Sequence, residues 1–193
     1  MGIEFELKYR ATEELLDAID QTFSGTEQRF AMETTYYDTP AGALSQRRYT
    51  LRRRMENDLS VCTLKAPVCG LGRGEWELPW DRIETAIPEL CKLGAPADLL
   101  PLTAEGVIPV CGARFHRIAK TLVLPDATLE LALDRGTLHG GGKTLPLCEV
   151  EVELKSGSPE ACVAFARQLA AAFHLTPEQH SKFRRALALY QGA

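Results

Sequence analysis

The first ten residues alternate between apolar and charged side chains. Ile3, Phe5, Leu7 and Tyr9 fall on one side of an extended chain, and charged residues occupy the positions between them. Successive side chains of a β-strand point to opposite faces of the sheet, so this period of two predicts a strand over 2–10. Patterns typical of strands also appear over 26–38, 49–55, 59–66, 73–78, 128–137 and 143–155, and in two weaker parts within 106–124.

Helical periodicity appears in four other stretches, where apolar residues recur at intervals of three or four. Thr12 is a suitable N-cap for the first of them. The helices are predicted over 13–21, 84–93, 159–173 and 177–190. About eight strands joined mostly by short turns favour an antiparallel sheet that can close into a barrel. The length predicts a single domain over 1–193.

Many of the predicted strands carry charge on their second face, with glutamates grouped on some strands and basic residues grouped on others. The clearest sets are Glu4 and Glu6, Arg52 and Arg54, Thr63 and Lys65, Arg73 with Glu75 and Glu77, Glu130 and Asp134, and Glu149, Glu151 and Glu153. A solvated outer face is the ordinary explanation for any one such strand. Glutamates roughly 6–7 Å apart on one face repel each other, however, and a hard divalent cation such as Mg²⁺ or Mn²⁺ removes that repulsion. The basic sets suit a multiply charged oxyanion such as a chain of phosphate groups.

Composition and net charge argue against several classes of protein. Hydrophobic residues make up 45% of the chain and charged residues 25%, which excludes a chain that is disordered over its whole length. The net charge of -4 argues against a general nucleic-acid binder. There is no apolar run of about 18 residues and no secretory signal at the amino terminus, so we expect no membrane association and a cytoplasmic location. The six cysteines form no C-x-x-C pair, which argues against a zinc site.

Short motifs in a fixed order resemble those of the CYTH domain, the family of triphosphate tunnel metalloenzymes. Glu4-Phe5-Glu6-Leu7-Lys8 matches the E-x-E-x-K signature of that family. Further matches, in chain order, are Tyr36-Tyr37-Asp38-Thr39, Leu51-Arg52-Arg53-Arg54, Thr63-Leu64-Lys65, Arg73-Gly74-Glu75-Trp76-Glu77, Arg117, Asp134-Arg135-Gly136, Glu149-Val150-Glu151-Val152-Glu153-Leu154-Lys155 and Ser181-Lys182-Phe183-Arg184. The resemblance therefore covers nearly the whole chain.

The resemblance implies a fold of the α+β class, an eight-stranded antiparallel closed β-barrel that forms a tunnel, with helices packed outside. It implies that Glu4, Glu6 and Lys8 are catalytic and that Mg²⁺ or Mn²⁺ is bound by Glu4, Glu6 and one or two of Glu149, Glu151 and Glu153. The phosphate chain would be held by Lys8, Arg52, Arg54, Lys65, Arg73, Arg117, Lys182 and Arg184, with Arg185 as the alternative to Arg184. Glu75, Glu77, Glu130 and Asp134 would line the tunnel.

The function that these expectations favour is metal-dependent hydrolysis of inorganic triphosphate to pyrophosphate and phosphate. The expected partner is inorganic triphosphate or another small molecule that bears a triphosphate. An adenylyl cyclase and a thiamine triphosphatase are the alternatives within the family. A polyphosphate-binding module without catalysis is a further alternative, although the acidic sets favour an enzyme. The sequence does not predict the oligomeric state.

Overall fold

A computed structural model describes residues 2–68 and 73–192 of the chain, without the side chain of Ile3. The sequence also predicts a loop over 67–72, and most of that loop lies outside the described residues. The strands of the described part are β1 (Gly2–Glu4), β2 (Glu6–Arg10), β3 (Thr26–Asp38), β4 (Thr50–Glu56), β5 (Leu59–Pro67), β6 (Arg73–Pro79), β7 (Ile108–Val123), β8 (Ala127–Gly140), β9 (Lys143–Gly157) and β10 (Thr176–Pro177). Its helices are α1 (Glu13–Thr22), α2 (Ala43–Gln46), α3 (Ile83–Lys92), α4 (Leu99–Leu102), α5 (Pro159–Ala172) and α6 (Lys182–Gln191). None of these helices combines the length and apolar character needed to cross a membrane.

All strands of the described part belong to one antiparallel sheet, in the order β1-β6-β5-β4-β3-β7-β8-β9-β2-β10. The predicted antiparallel sheet with helices is confirmed, and so is the α+β class. Eight strands and a closed barrel are not confirmed, because the sheet has ten strands and β1 and β10 at its ends do not pair with each other. The count differs because the first predicted strand divides at Phe5 and the short β10 adds a strand. The two weaker parts predicted within 106–124 form the single strand β7.

The amino-terminal segment pairs near both ends of the strand order. β1 pairs with β6 and places Glu4 opposite Arg73, whereas β2 pairs with β9 and places Glu6 opposite Glu153. Between them, the carbonyl of Phe5 accepts a hydrogen bond of 2.9 Å from the Leu154 amide. Residues from the two ends of the strand order are thereby brought next to each other.

The register gives the sheet two faces of opposite character. The face that we call the charged face carries, among others, Arg52, Arg54, Lys65, Arg117, Asp134, Glu149 and Glu151. The opposite, apolar face forms two buried cores. One core packs Leu131 and Val150 against α1 and α5, and the other packs Leu64 and Trp76 against α3 and the following helix α4. The alternation in the sequence therefore sorts the charged residues onto one side of the sheet.

Helix α6 departs from the expectation that the helices pack outside the sheet. Its apolar residues Phe183 and Ala186 pack with Phe115 and Leu138, which lie on the charged face. The helix is shorter than predicted, because it begins after its N-cap Ser181, whose hydroxyl accepts a bond from the Arg184 amide. The apolar stripe of α6 thus covers an apolar end of the charged face and brings Lys182 to the carboxylates beside it.

Candidate active site on the charged face

The structure places every predicted site residue of the strands on the charged face. Antiparallel pairing sets Arg52 opposite Thr63, Lys65 opposite Glu75, Arg117 opposite Asp134, Glu130 opposite Glu153, and Glu151 opposite Lys8. Because directly opposed side chains lie on the same side of a sheet, these pairs connect the face across the strands. The arrangement brings together residues that are up to about 180 positions apart in the chain, since Lys182 of α6 reaches the same face.

One part of the charged face consists of matched ion pairs. Lys182 lies 2.8 Å from Asp134 and 2.7 Å from Glu151, and it also donates to Glu149. Arg117 donates two bonds of 2.7 Å to Asp134 and a further bond to Glu151. The side chains of Asp134 and Glu149 are fully buried. Buried carboxylates need such partners, so the two cations stabilise this acidic trio in the free protein.

These contacts change the acidity of the groups. Burial alone would raise the pKa of Glu151, but Lys182 and Arg117 hold that pKa well below its usual range. Burial, opposed by Lys182 and reinforced by Glu151, raises the pKa of Glu149 to about 7. The pKa of Lys182 lies above its usual value, because its three carboxylate neighbours outweigh its burial.

The choice between Arg184 and Arg185 is decided by the helix. Arg185 lies 2.7 Å from Glu149, whereas Arg184 is exposed and makes no ion pair in the described part of the chain. The structure thus brings Arg185, and not Arg184, to the carboxylates of the charged face, and phosphate binding by Arg184 stays a prediction. The reason for this placement is helical geometry, because residues three apart share a face and residues two apart do not. Arg185 follows Lys182 by three positions.

A second part of the charged face carries two arginines with loose partners. Arg52 lies 3.6 Å from Glu75 and 3.9 Å from Glu77, and its Nε is buried without a hydrogen-bond partner among the described residues. Arg54 donates to the Thr34 hydroxyl at 3.1 Å. Burial, and then repulsion from Arg52, lower the pKa of Arg54 to about 10. Two buried guanidinium groups whose nearest carboxylates in the described part of the chain are 3.6 Å away favour the binding of an anion.

The carboxylates of the amino-terminal segment form a third part, in which negative charge predominates. Glu6 lies 2.9 Å from Lys8. Its pKa is raised by burial and then by the charges of Glu151 and Glu4. Burial also raises the pKa of Glu153, which stands opposite Glu6 in the sheet. Lys8 and Lys155 offset part of this charge, and a bound cation would further offset the repulsion of Glu6 by Glu151 and Glu4.

Lys65 and Arg73 are held in different ways. Lys65 donates to Glu4 and lies 3.4 Å from Glu75, so it connects the first strand to the arginine pair. Arg73 instead donates to the backbone carbonyls of Arg48 at 2.8 Å and of Lys65 at 3.0 Å. These backbone contacts anchor the start of β6. They give Arg73 a structural role beside the phosphate-binding role expected from the sequence.

Glu178 is a buried charged residue that the sequence analysis did not identify. It accepts a bond of 2.6 Å from Arg10 and lies 3.7 Å from Arg185, which in turn contacts Glu149. Its backbone amide donates to the Lys8 carbonyl at 2.8 Å. Glu178 therefore ties the segment before α6 to β2. The predicted helix over 177–190 includes Glu178, but in the structure Glu178 lies between β10 and α6, so helical periodicity gave no signal for its burial.

The carboxylates of the charged face fit a hard divalent cation by their chemistry. Asp134, Glu149 and Glu151 can each offer an oxygen, and these atoms lie within 4.8 Å of one another. Carboxylate oxygens are the ligands that Mg²⁺ and Mn²⁺ prefer. This trio is already paired with Lys182 and Arg117, whereas Glu6 has like-charged neighbours. Glu6 also has Lys8 at 2.9 Å, and Glu4 accepts a bond from Lys65, so a cation that binds at either acidic group meets a basic side chain that is already there.

Comparison with known proteins identifies the family. The family model of the CYTH domain matches residues 2–187. An inorganic triphosphatase of Haemophilus influenzae is 30% identical over 146 residues, which cover 74% of this chain and 41% of that protein. The chain thus spans less than half the length of this relative.

Solved structures share the fold. The PH1819 protein of Pyrococcus horikoshii superposes with a TM-score of 0.63 at 21% identity, over 95% of this chain and 98% of that one. HpAC1 of Hippeastrum, a candidate adenylyl cyclase with a dominant triphosphatase activity, superposes with a TM-score of 0.60 at 18% identity, over 98% and 96% of the two chains. With a family model that matches nearly its whole length, the chain belongs to the CYTH domain family.

Proposed function

We propose that this protein hydrolyses inorganic triphosphate to pyrophosphate and phosphate on its charged face, with Mg²⁺ or Mn²⁺ as cofactor. The observation that carries the proposal is the separation of charge on that face. Arg52 and Arg54 are buried with no carboxylate closer than 3.6 Å among the described residues, while Glu6 is half-buried beside Lys8 and two other carboxylates. The arginines therefore have no close anion, and burial and neighbouring carboxylates raise the pKa of Glu6 in spite of its contact with Lys8. A metal–triphosphate complex supplies both an anion and a cation.

The basic residues would bind and orient the phosphate chain. Arg52 has a buried Nε–H without a partner, so a phosphate oxygen can take that bond. Arg54, Lys65 and Lys8 lie on the same face and would hold the remaining phosphates. Fixed positive groups of this kind stabilise the charge that spreads over the phosphoryl oxygens in a loose transition state.

The carboxylates would hold the metal. Glu4 and Glu6 are the ligands expected from the family, together with one or two residues of the row Glu149, Glu151 and Glu153. When bound, the cation offsets negative charge on the phosphate oxygens and lowers the pKa of a bound water. Water adds to the terminal phosphorus, the bond to the bridging oxygen breaks, and pyrophosphate leaves. No side chain needs to form a covalent bond.

We also infer that the amino-terminal segment folds the charged face around the substrate as a tunnel. The support is the pairing of β1 with β6 and of β2 with β9, near opposite ends of the strand order. The Haemophilus influenzae relative, an inorganic triphosphatase, supports the choice of substrate. The cytoplasmic location expected from the sequence stays a prediction.

A phosphate-release screen tests the proposal. Tripolyphosphate, ATP, thiamine triphosphate and pyrophosphate are each offered with Mg²⁺, with Mn²⁺ and with a chelator. We expect tripolyphosphate to be the best substrate and the chelator to abolish release. The screen is repeated with the variant Glu6→Gln, which removes one carboxylate from the charged face. Glu14→Gln is its matched control, because Glu14 is an exposed residue of α1. Binding of tripolyphosphate without any hydrolysis would leave the non-catalytic module as the better description.

A further inference from the structure

Phe115 lies where the apolar end of the charged face meets its cations. Its side chain is almost fully buried, with 2% of the residue exposed, among apolar residues that include Phe183 of α6. Three cations approach its ring. The guanidinium carbon of Arg54 is 6.0 Å from the ring centroid, that of Arg117 is 5.8 Å away, and the Lys182 nitrogen is 5.4 Å away.

The three cations come from β4, β7 and α6, so the ring is a contact that three separate elements share. Like charges held this closely repel each other, and the lowered pKa of Arg54, caused by burial and by the nearby arginines Arg52 and Arg117, records that repulsion. The face of an aromatic ring attracts cations, and the attraction strengthens where water is excluded. The buried ring of Phe115 therefore offsets part of the repulsion.

The neighbouring strand approaches the backbone at Phe115 closely. Gly136 of β8 stands opposite Phe115. A Cβ atom at position 136 would come within 2.2 Å of the Arg114 carbonyl oxygen and 2.6 Å of the Phe115 Cβ. Any larger residue would displace β7. The glycine of the Asp134-Arg135-Gly136 motif thus leaves room for the backbone of β7 at Phe115, while Asp134 of the same motif binds Arg117.

We propose that Phe115 is a positioning residue that, together with the ion pairs of Arg117 and Lys182 to Asp134 and Glu151, gathers Arg54, Arg117 and Lys182 into one anion-binding group before the substrate arrives. This inference rests on the proposed function, because the anion in question is the triphosphate. Side chains that already have their bound arrangement lose less conformational entropy when the ligand binds, so the affinity for the ligand is higher. An aliphatic residue of the same bulk would fill the space but would not attract the cations.

Fluorination of the ring separates attraction from packing. Each fluorine weakens the negative charge of the ring face while it changes the size little. The full-length protein would be prepared with 4-fluoro-, 3,5-difluoro- and 3,4,5-trifluorophenylalanine at position 115. The same series at Phe165, whose ring packs on Phe23 at 5.6 Å with no cation over it among the described residues, is the control. The simpler variant Phe115→Leu is measured beside them, and the fluorinated series keeps the test decisive if that variant fails to fold.

Two quantities are followed along each series: the Kd for tripolyphosphate by calorimetry, and the Tm without phosphate. At position 115 we expect the Kd to rise stepwise with fluorine number, by about tenfold for the trifluoro ring, and the Tm to fall by about 5 °C. The control series is expected to leave the Kd unchanged.

Each outcome decides a separate point. A Kd that stays flat across the series at position 115 overturns the positioning role, whether or not the Tm falls. If the unmodified protein does not bind tripolyphosphate, the proposed function fails. In that case the Tm series alone decides whether the ring holds the cations, and a flat Tm overturns the inference.

Discussion

Replacement of Arg52 by methionine should weaken substrate binding and leave the fold at least as stable. Arg52 is the buried guanidinium with loose partners, 3.6 Å from Glu75 and 3.9 Å from Glu77. A desolvated charged hydrogen bond to a ligand is worth about 2–5 kcal/mol when one partner is removed. Because phosphate must compete with the two glutamates, we take the lower end, which corresponds to about a 30-fold increase in KM for tripolyphosphate.

The effect of Arg52→Met on stability has the opposite sign. The variant removes a buried Nε–H without a partner, which costs about 1–3 kcal/mol in the folded state. It also removes two long ion pairs, each worth about 1 kcal/mol or less. The unfolding free energy should therefore stay the same or rise by about 1 kcal/mol, which raises the Tm by about 2–4 °C.

The assay for Arg52→Met pairs steady-state phosphate release with thermal unfolding. Arg53→Met is the matched control, because Arg53 is the next residue of β4 and points to the other face, where it donates to the Ser60 hydroxyl at 2.9 Å. We expect the control to keep its KM. The reasoning is refuted if Arg52→Met leaves KM unchanged, or if it lowers the Tm by more than about 5 °C, since Arg52 would then serve the fold rather than the ligand.

Three further expectations concern the acidic row, the helix and the substrate. Glu6→Gln should abolish most turnover and weaken Mn²⁺ binding measured by calorimetry, because a carboxylate ligand becomes a neutral amide; unchanged metal affinity would exclude Glu6 as a ligand. Lys182→Met leaves three buried carboxylates short of a partner, so unfolding at pH 7 should show a loss of about 3–5 kcal/mol that shrinks on acidification, and a stable variant would contradict the pairing. Tripolyphosphate should be cleaved with a kcat/KM at least about tenfold above that of ATP, a difference of about 1.4 kcal/mol, whereas cyclic AMP and pyrophosphate as main products of ATP at a matching rate would identify a cyclase.

The sequence alone predicted most of the elements and the side of the sheet on which each charge lies. The helices of 13–21 and 159–173 and the strand of 26–38 were found to within about one residue. The side-chain pattern is enough to predict these elements, because strand alternation and helix periodicity depend on only a few neighbouring residues. The break at Phe5 was not predictable, since the pattern continues through it and only pairing with two distant strands divides it.

The partners of the charges were decided by tertiary structure alone. Nothing in the sequence distinguishes Arg52, which lacks a close carboxylate, from Arg117, which has two bonds to Asp134. The same holds for Arg185 rather than Arg184, which depends on where α6 begins. The period of a strand fixes the face of a side chain, but its neighbours come from strands tens of residues away and from the register between them. The sequence therefore determined that a charged face exists, and only the folded chain determined which of its charges are matched and which are left for a ligand.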